Sequence, residues 1–138
     1  MSPSSAKPPK NFPVELQVRE GTTDNKEWNH VRIGGIDYQY RYKGGSKEHG
    51  NHEAYVGTGI NILDIALIKD EQRYVIHGGE CVTSTPKQFD FQRVSDLTAT
   101  VTDLNTIEAE AKYIVMVRDK ENENIIPCHP MMKNIPPP

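Results

Sequence analysis

The ten prolines of this 138-residue chain lie almost entirely at its two ends. Four fall within the first 13 residues and five within the last 12, which leaves Pro86 alone between them. Because proline cannot donate a hydrogen bond to a β ladder, a proline-poor middle is what a sheet-rich body requires. At this length one domain is expected. The pattern predicts a β body over residues 13–130, a proline-rich arm over 1–12 and a proline-rich tail over 131–138.

Alternating apolar and polar residues predict strands along this body. The clearest case is 36–43 (Ile-Asp-Tyr-Gln-Tyr-Arg-Tyr-Lys), where one isoleucine and three tyrosines share a face. Residues 14–20 and 97–102 alternate in the same way, and the two-sided apolar run 60–68 is typical of a central strand. Residues 107–112 fit either a helical turn or the approach to a strand. With turn residues between short strands and no long amphipathic helix, the sequence predicts an all-β, antiparallel sandwich of about seven to nine strands.

Charge and hydropathy exclude several classes of function. The net charge of −3 does not provide the basic surface that nucleic-acid binding needs, so we expect no nucleic-acid partner. The longest apolar run is interrupted by Asn61 and Asp64 and is too short for a membrane helix. The first residues lack the apolar core of a secretory signal. With only Cys81 and Cys128, we expect a cytoplasmic protein with reduced thiols.

Two histidines on a polar loop are candidate metal ligands. His49 and His52 lie three residues apart beside Glu48 and Glu53, and imidazole and carboxylate groups bind zinc and similar ions. A closed site needs three or four ligands, which this spacing does not supply, so the simpler interpretation is a solvated loop tip. A second set would require two distant segments to meet: His77 and Cys81 with Cys128 and His129. We therefore expect no metal and no other cofactor.

The candidate catalytic residues are Asp37, Cys128 and His129. A cysteine nucleophile needs a base that is close in space, and adjacency along the chain does not provide one. A paired-carboxylate hydrolase needs two acids in one cleft. Asp37 alternates onto the polar face of its strand, whereas Asp103 and Asp119 are predicted to lie in turns. In the predicted strand 36–43, the basic side chains lie on the opposite face from the tyrosines. This favours an aromatic core cluster over a surface on which nucleic-acid bases stack.

Four segments in the last third of the chain resemble the DP-EP family. They are 85–90 (Thr-Pro-Lys-Gln-Phe-Asp), 97–103 (Leu-Thr-Ala-Thr-Val-Thr-Asp), 112–119 (Lys-Tyr-Ile-Val-Met-Val-Arg-Asp) and 126–134 (Ile-Pro-Cys-His-Pro-Met-Met-Lys-Asn). Members of this family are small bacterial β-sandwich proteins of immunoglobulin-like type. The resemblance therefore implies an immunoglobulin-like sandwich, and it implies a self-processing activity of aspartic-peptidase type.

The chain departs from the family at the dipeptide on which that activity depends. His129-Pro130 stands where the family has Asp-Pro. An aspartyl carboxyl can attack the neighbouring amide, whereas histidine cannot form the same cyclic intermediate. Self-processing at this junction is therefore not assigned and stays an alternative function.

The terminal arms are the main candidates for function. A stiff proline-rich segment loses little conformational entropy when it binds, so it can connect subunits. We expect a non-enzymatic structural or protein-interaction module that forms homo-oligomers or joins a larger assembly, with no membrane partner. The alternatives are a self-processing protein and a sandwich that binds metal or carbohydrate through the loop 44–53.

Overall fold

The structure is a computed structural model that describes residues 8–23 and 26–136, and its regular structure is almost entirely β. Eleven strands and one short 3-10 turn, Pro86–Gln88, form within those residues. The strands are β1 (Lys10–Glu20), β2 (Asn29–Ile33), β3 (Ile36–Gly44), β4 (His52–Tyr55), β5 (Asn61–Ile68), β6 (Tyr74–Val82), β7 (Phe89–Arg93), β8 (Thr98–Asp103), β9 (Ala109–Asp119), β10 (Ile125–Cys128) and β11 (Met131–Ile135).

Six of the strands form sheet A, in the order β2-β3-β1-β5-β8-β7. Neighbours are antiparallel except β1 and β5, which run parallel. The apolar run predicted as a central strand is β5, which lies between β1 and β8, so that prediction is confirmed. β2 and β3 form a two-residue hairpin through Gly34 and Gly35, whose φ angles of 57° and 81° fit the turn that matches strand twist.

Sheet B is built around β9. One edge of β9 pairs with β6, while the other pairs with β11 near its start and with β10 near its end. β4 then adds to β11 in parallel. The chain from Ile125 to Ile135 thus follows one edge of β9, with a break at His129-Pro130.

Parts of both predicted arms belong to the sheets, which corrects the predicted domain limits of 13–130. Residues 10–12 begin β1, and residues 131–135 of the predicted tail are β11. The prolines misled because they flank β11 at Pro130 and Pro136, whereas the five residues between them all keep their backbone donors. Of the remaining arm residues, 8, 9 and 136 have no regular structure, and 1–7 and 137–138 lie outside the described residues.

Inward-facing side chains of both sheets share one core, so the prediction of an all-β sandwich is confirmed. The tyrosines of β3 predicted on one face, Tyr38, Tyr40 and Tyr42, are all buried. Tyr42 packs edge-on against Tyr113 of β9, with ring centroids 5.8 Å apart. The structure has more strands than predicted and two parallel pairs, because alternation reveals a strand's face and not its partner's direction. Residues 109–112 belong to β9, which decides between strand and helical turn there.

The two ends of the sandwich carry different residues. We call the end that holds the starts of β1 and β5 and the finishes of β4, β8 and β11 the terminal end. The opposite end holds the finishes of β1 and β9 and the starts of β3 and β6. Among the described residues, no helix is long and apolar enough to span a membrane.

Candidate functional site

Two of the predicted candidate residues line one cleft on the side of the sandwich. His49 comes from the loop between β3 and β4, and His129 comes from the break between β10 and β11. The cleft has a volume of about 240 Å³, and its lining is completed by Lys26, Glu27, Asn29, Tyr42, Asn51 and Pro130. The fold thus joins a residue proposed as a metal ligand to one proposed as catalytic, which their separation in sequence does not indicate.

Tyrosines of the core hold both walls of this cleft. Tyr42 donates a hydrogen bond of 2.6 Å to the carbonyl of Cys128, and Tyr113 donates one of 2.6 Å to the carbonyl of Gly50. Gly50 has a φ of 77°, and a Cβ there would lie 2.7 Å from the ring of Tyr42. The loop therefore reaches the tyrosines because position 50 has no side chain.

The structure separates the two histidines that the sequence paired. His49 is exposed, whereas His52 is buried and packs against Phe12, with tilted rings whose centroids lie 4.6 Å apart. Burial lowers the pKa of His52 to about 4, and neither ring nitrogen has a hydrogen-bond partner among the described residues. Within residues 8–23 and 26–136, no three His, Cys, Asp or Glu side chains are grouped to hold a metal ion. His49 and His52 thus do not form a shared site.

Both cysteines are free thiols. Cys128 is fully buried on β10, and this burial raises the pKa of its thiol well above the usual value. Burial also raises the pKa of Cys81 to about 11, with further contributions from Asp90, Asp103 and Glu80. A raised pKa leaves little thiolate, so neither position favours nucleophilic chemistry. At the predicted junction, His129 is exposed while Pro130 is buried.

The acidic residues divide into one that follows the prediction and two that do not. Asp37 lies on the polar face of β3 and pairs with Arg32 at 3.1 Å, both being well exposed. The prediction that Asp103 and Asp119 lie in turns is wrong, because each is the last residue of a strand and is completely buried. Asp103 ends β8 and Asp119 ends β9, and each falls on the inward-facing side of its strand. Both side chains have polar partners in the interior.

Asp119 is the centre of a buried charge cluster at the opposite end. Arg73 donates two hydrogen bonds to its carboxylate, at 3.0 and 2.9 Å, and the hydroxyl of Tyr38 donates a third at 2.5 Å. Burial alone would raise the pKa of Asp119, but the bonds from Arg73 and Tyr38 outweigh it and hold the pKa at about 2. Asn122 adds a bond of 3.0 Å, and Glu20 accepts one of 2.8 Å from Arg73. This cluster joins β1, β3 and β9 to Arg73, the residue immediately before β6.

A second buried polar group closes the terminal end. Oδ1 of Asp103 accepts hydrogen bonds from the amide of Asn134, at 2.8 Å, and from the backbone of Asn105, at 2.9 Å. Asn105 in turn donates to the carbonyl of Tyr55 at 2.8 Å. Burial raises the pKa of Asp103, although both of these bonds oppose the shift. The group therefore ties the ends of β8, β11 and β4 together across the sandwich.

The arrangement that faces solvent is the cleft, and its groups suit hydrogen bonding better than covalent chemistry. Imidazole, amine, carboxylate and amide groups converge on it, and the thiol of Cys128 points into the core instead. No protein-family model matches this sequence, and no curated protein matches it either.

Sequence reasoning missed the Asp119 cluster because its members are far apart in the chain. Tyr38 and Arg73 lie 81 and 46 residues from Asp119. One local signal was present, since the segment after Asp119 is rich in asparagine, a residue that bonds nearby backbone in turns. Asn122 and Asn124 both bond Tyr38 from that segment, each with an Nδ2–Oη distance of 3.1 Å.

Proposed function

We propose that this chain is a non-enzymatic interaction module that builds a homo-oligomer or larger assembly through its terminal end. The observation that carries the proposal is that both termini of the folded body leave the sandwich at that end, beside exposed apolar side chains. The sequence supported assembly only through the proline-rich arms, and the terminal end adds a folded surface to that expectation.

Hydrogen bonds between strands bring the two termini to this end. The backbone N–H of Lys10, where β1 starts, donates to the carbonyl of Ile60 at 3.0 Å. At the finish of β11, the carbonyl of Ile135 accepts a bond of 2.9 Å from Val56. Both arms therefore continue from the same end of the sandwich, where one contact could engage them together.

Three exposed apolar residues surround Asn105 at this end, and we call them the terminal patch: Tyr55, Leu104 and Ile107. Their exposed fractions are 45%, 39% and 46%. Asn105 holds these three residues in place relative to one another. Its side chain bonds the carbonyl of Tyr55, and its backbone lies between Leu104 and Ile107 in the chain. Grouped apolar exposure of this kind is typical of an interaction surface.

The assembly is tested by measuring the mass of the full chain and its variants by light scattering. We expect Ile107→Glu, and separately removal of residues 1–7, to reduce the mass of the assembly. Val94→Glu is the control, because Val94 is an exposed apolar residue near the opposite end, with an exposed fraction of 62% against 46% for Ile107. An assembly whose mass is the same in all these variants would contradict the proposal, as would a full chain that is monomeric at every concentration.

A second candidate function is binding of a small polar ligand, such as a carbohydrate, in the cleft. The cleft combines two exposed histidines with the amine of Lys26 and the amide of Asn29. Chemical-shift changes during a glycan screen would test it. Binding that is lost in His129→Ala and kept in His77→Ala, an exposed histidine elsewhere, would support the candidate. Equal binding by both variants would overturn it.

A further inference from the structure

The sheets have several margins, and in the described part of the chain those formed by β4, β6, β7 and β10 are protected against pairing with another strand. Natural proteins block such margins because free backbone groups recruit further strands. β10 carries Pro127, which has no N–H to donate. The outer side of β4 is occupied by the hydroxyl of Ser46, which accepts from the N–H of Glu53 at 2.9 Å and donates to its carbonyl at 3.0 Å.

β6 and β7 protect each other where sheet B meets sheet A. Arg93, at the end of β7, donates a bond of 2.8 Å to the carbonyl of Ile76 in β6. The N–H of Ile76 bonds the carbonyl of Asp96 at 2.6 Å. Gly79 and Phe91 are so close that a Cβ at position 79 would lie 2.4 Å from the ring. The remaining margin among the described residues is β2, at the other side of sheet A, where Asn124 donates a bond of 3.1 Å to the carbonyl of Ile33 at the strand's end.

β2 presents backbone groups outward at two positions. In a two-residue hairpin the closing pair, Ile33 and Ile36, is hydrogen-bonded, so bonded pairs recur at every second residue. The N–H and C=O groups of His30 and Arg32 therefore point to the outer edge. β2 contains no proline, and its arginine is already paired with Asp37 at 3.1 Å, so it carries little net charge to repel another strand.

We propose that β2 pairs with β2 of a second copy of this chain, antiparallel, about a two-fold axis at Val31. In that register His30 of each copy faces Arg32 of the other, and all outward backbone groups of both strands bond one another. Val31 then meets Val31 of the other copy in the closer, non-bonded kind of pair, which covers a half-exposed apolar side chain. The result joins two copies of sheet A into one continuous sheet.

β2 of a second copy suits the edge of β2 better than the terminal arms do. The arms are poor alternatives, because Pro3, Pro8 and Pro9 interrupt the donors of the first segment and the last three residues are all proline. A two-fold contact of identical strands also closes on itself and gives a dimer of defined size. This proposal adds a second surface to the assembly proposed above, and the two surfaces can be tested separately.

The test compares His30→Pro with His30→Ala by sedimentation of the full chain over a concentration series. His30→Pro removes an outward N–H from each copy, and we expect it to weaken dimerisation at least about tenfold. His30→Ala keeps the N–H, and we expect its dimer dissociation constant to lie within about twofold of that of the unmodified chain. Equal dimerisation by the proline and alanine variants would overturn the β2 contact and leave assembly through the terminal end intact, whereas a monomeric unmodified chain would overturn both.

A cross-link tests the register even if the proline variant does not fold. In a Cys81→Ser background, Val31→Cys should form a disulfide-linked dimer under mild oxidation, since the two-fold axis places position 31 against its own copy. Asn29→Cys is the matched control, because position 29 faces position 33 of the other copy and lies far from its own. Cross-linking of both variants to the same extent, or of neither, would overturn the register.

Discussion

Asp119 keeps a full negative charge inside the protein, and Arg73 is what allows this. Removing one partner of a buried ion pair leaves an uncompensated charge, which costs several kcal/mol. We expect Arg73→Met to lower the free energy of unfolding by about 3 kcal/mol. Arg118→Met is the control, because its pair with Glu123 is exposed and we expect a change within about 0.5 kcal/mol. Urea unfolding of both variants measures this, and equal losses would contradict the assigned role.

His52 is expected to make the protein less stable in mild acid. Its pKa is about 4 in the folded chain and 6.5 in the unfolded chain, so the unfolded chain binds the proton first as the pH falls. Stability is therefore full above about pH 6.5 and declines towards pH 4, by about 3 kcal/mol in total. The raised pKa of Asp103 acts in the opposite direction, because the folded chain protonates there first.

The contribution of His52 can be isolated by substitution. When the pH falls from about 7 to about 5, we expect the free energy of unfolding of His52→Leu to decrease by about 2 kcal/mol less than that of the unmodified chain. Urea midpoints at the two pH values measure the difference. The stability of His49→Leu, at an exposed position of the loop before β4, should decline as steeply as that of the unmodified chain. If His52→Leu declines just as steeply, burial of His52 is not the cause.

At the scale of elements, the contact between β6 and β7 depends on a single glycine. A Cβ at Gly79 would lie 2.5 Å from the carbonyl oxygen of Ile114 as well as against the ring of Phe91. We expect Gly79→Ala to destabilise the protein by about 1–3 kcal/mol through overpacking. A Cβ at Gly78 would meet nothing within 4 Å, so Gly78→Ala should stay within about 0.5 kcal/mol. Thermal unfolding measures both, and a reversed order would contradict this packing.

Long alternating strands were predictable from sequence, and short ones that depend on partners were not. β3 and β5 are long enough for their apolar period to be visible, and the structure confirms their faces. β11 has only five residues between two prolines, and β4 has only four. Both form because a neighbouring strand supplies hydrogen bonds, a cause that local sequence does not contain. Parallel pairing of β1 with β5 was hidden for the same reason.

The candidate sites show the same limit more strongly. Chemistry-bearing residues could be identified by type, but the spacing between His49 and His52 suggested a pair that the fold separates. The cleft joins His49 to His129, 80 positions later in the chain. Asp119 was assigned to a turn because its last strand position, next to a polar hairpin tip, looks solvated in sequence. Asp119 can be buried only because Arg73 and Tyr38, which are distant in the chain, donate hydrogen bonds to its carboxylate.

At the scale of the whole molecule, Cys128 should report global unfolding. It lies completely buried on β10, against the central strand β9. We expect it to react with a thiol reagent only when the whole sandwich opens, so the logarithm of its labelling rate should fall linearly with the free energy of unfolding. Cys81 is half-buried and should react faster in the native protein. Mass spectrometry of labelled peptides distinguishes the two, and equal native rates would contradict a rigid core at β10.

The pairing of β11 with β4 has a consequence for how the chain reaches its fold. The only strand to which β4 is bonded among the described residues is β11, which follows it by more than 75 positions. During synthesis, residues 52–55 therefore cannot form their ladder until residues 131–135 have been made. Contacts this distant close slowly, because the intervening chain must first be ordered. Sheet B is thus completed late, and until then the part of the core that β4 and β11 cover stays open to other nascent chains.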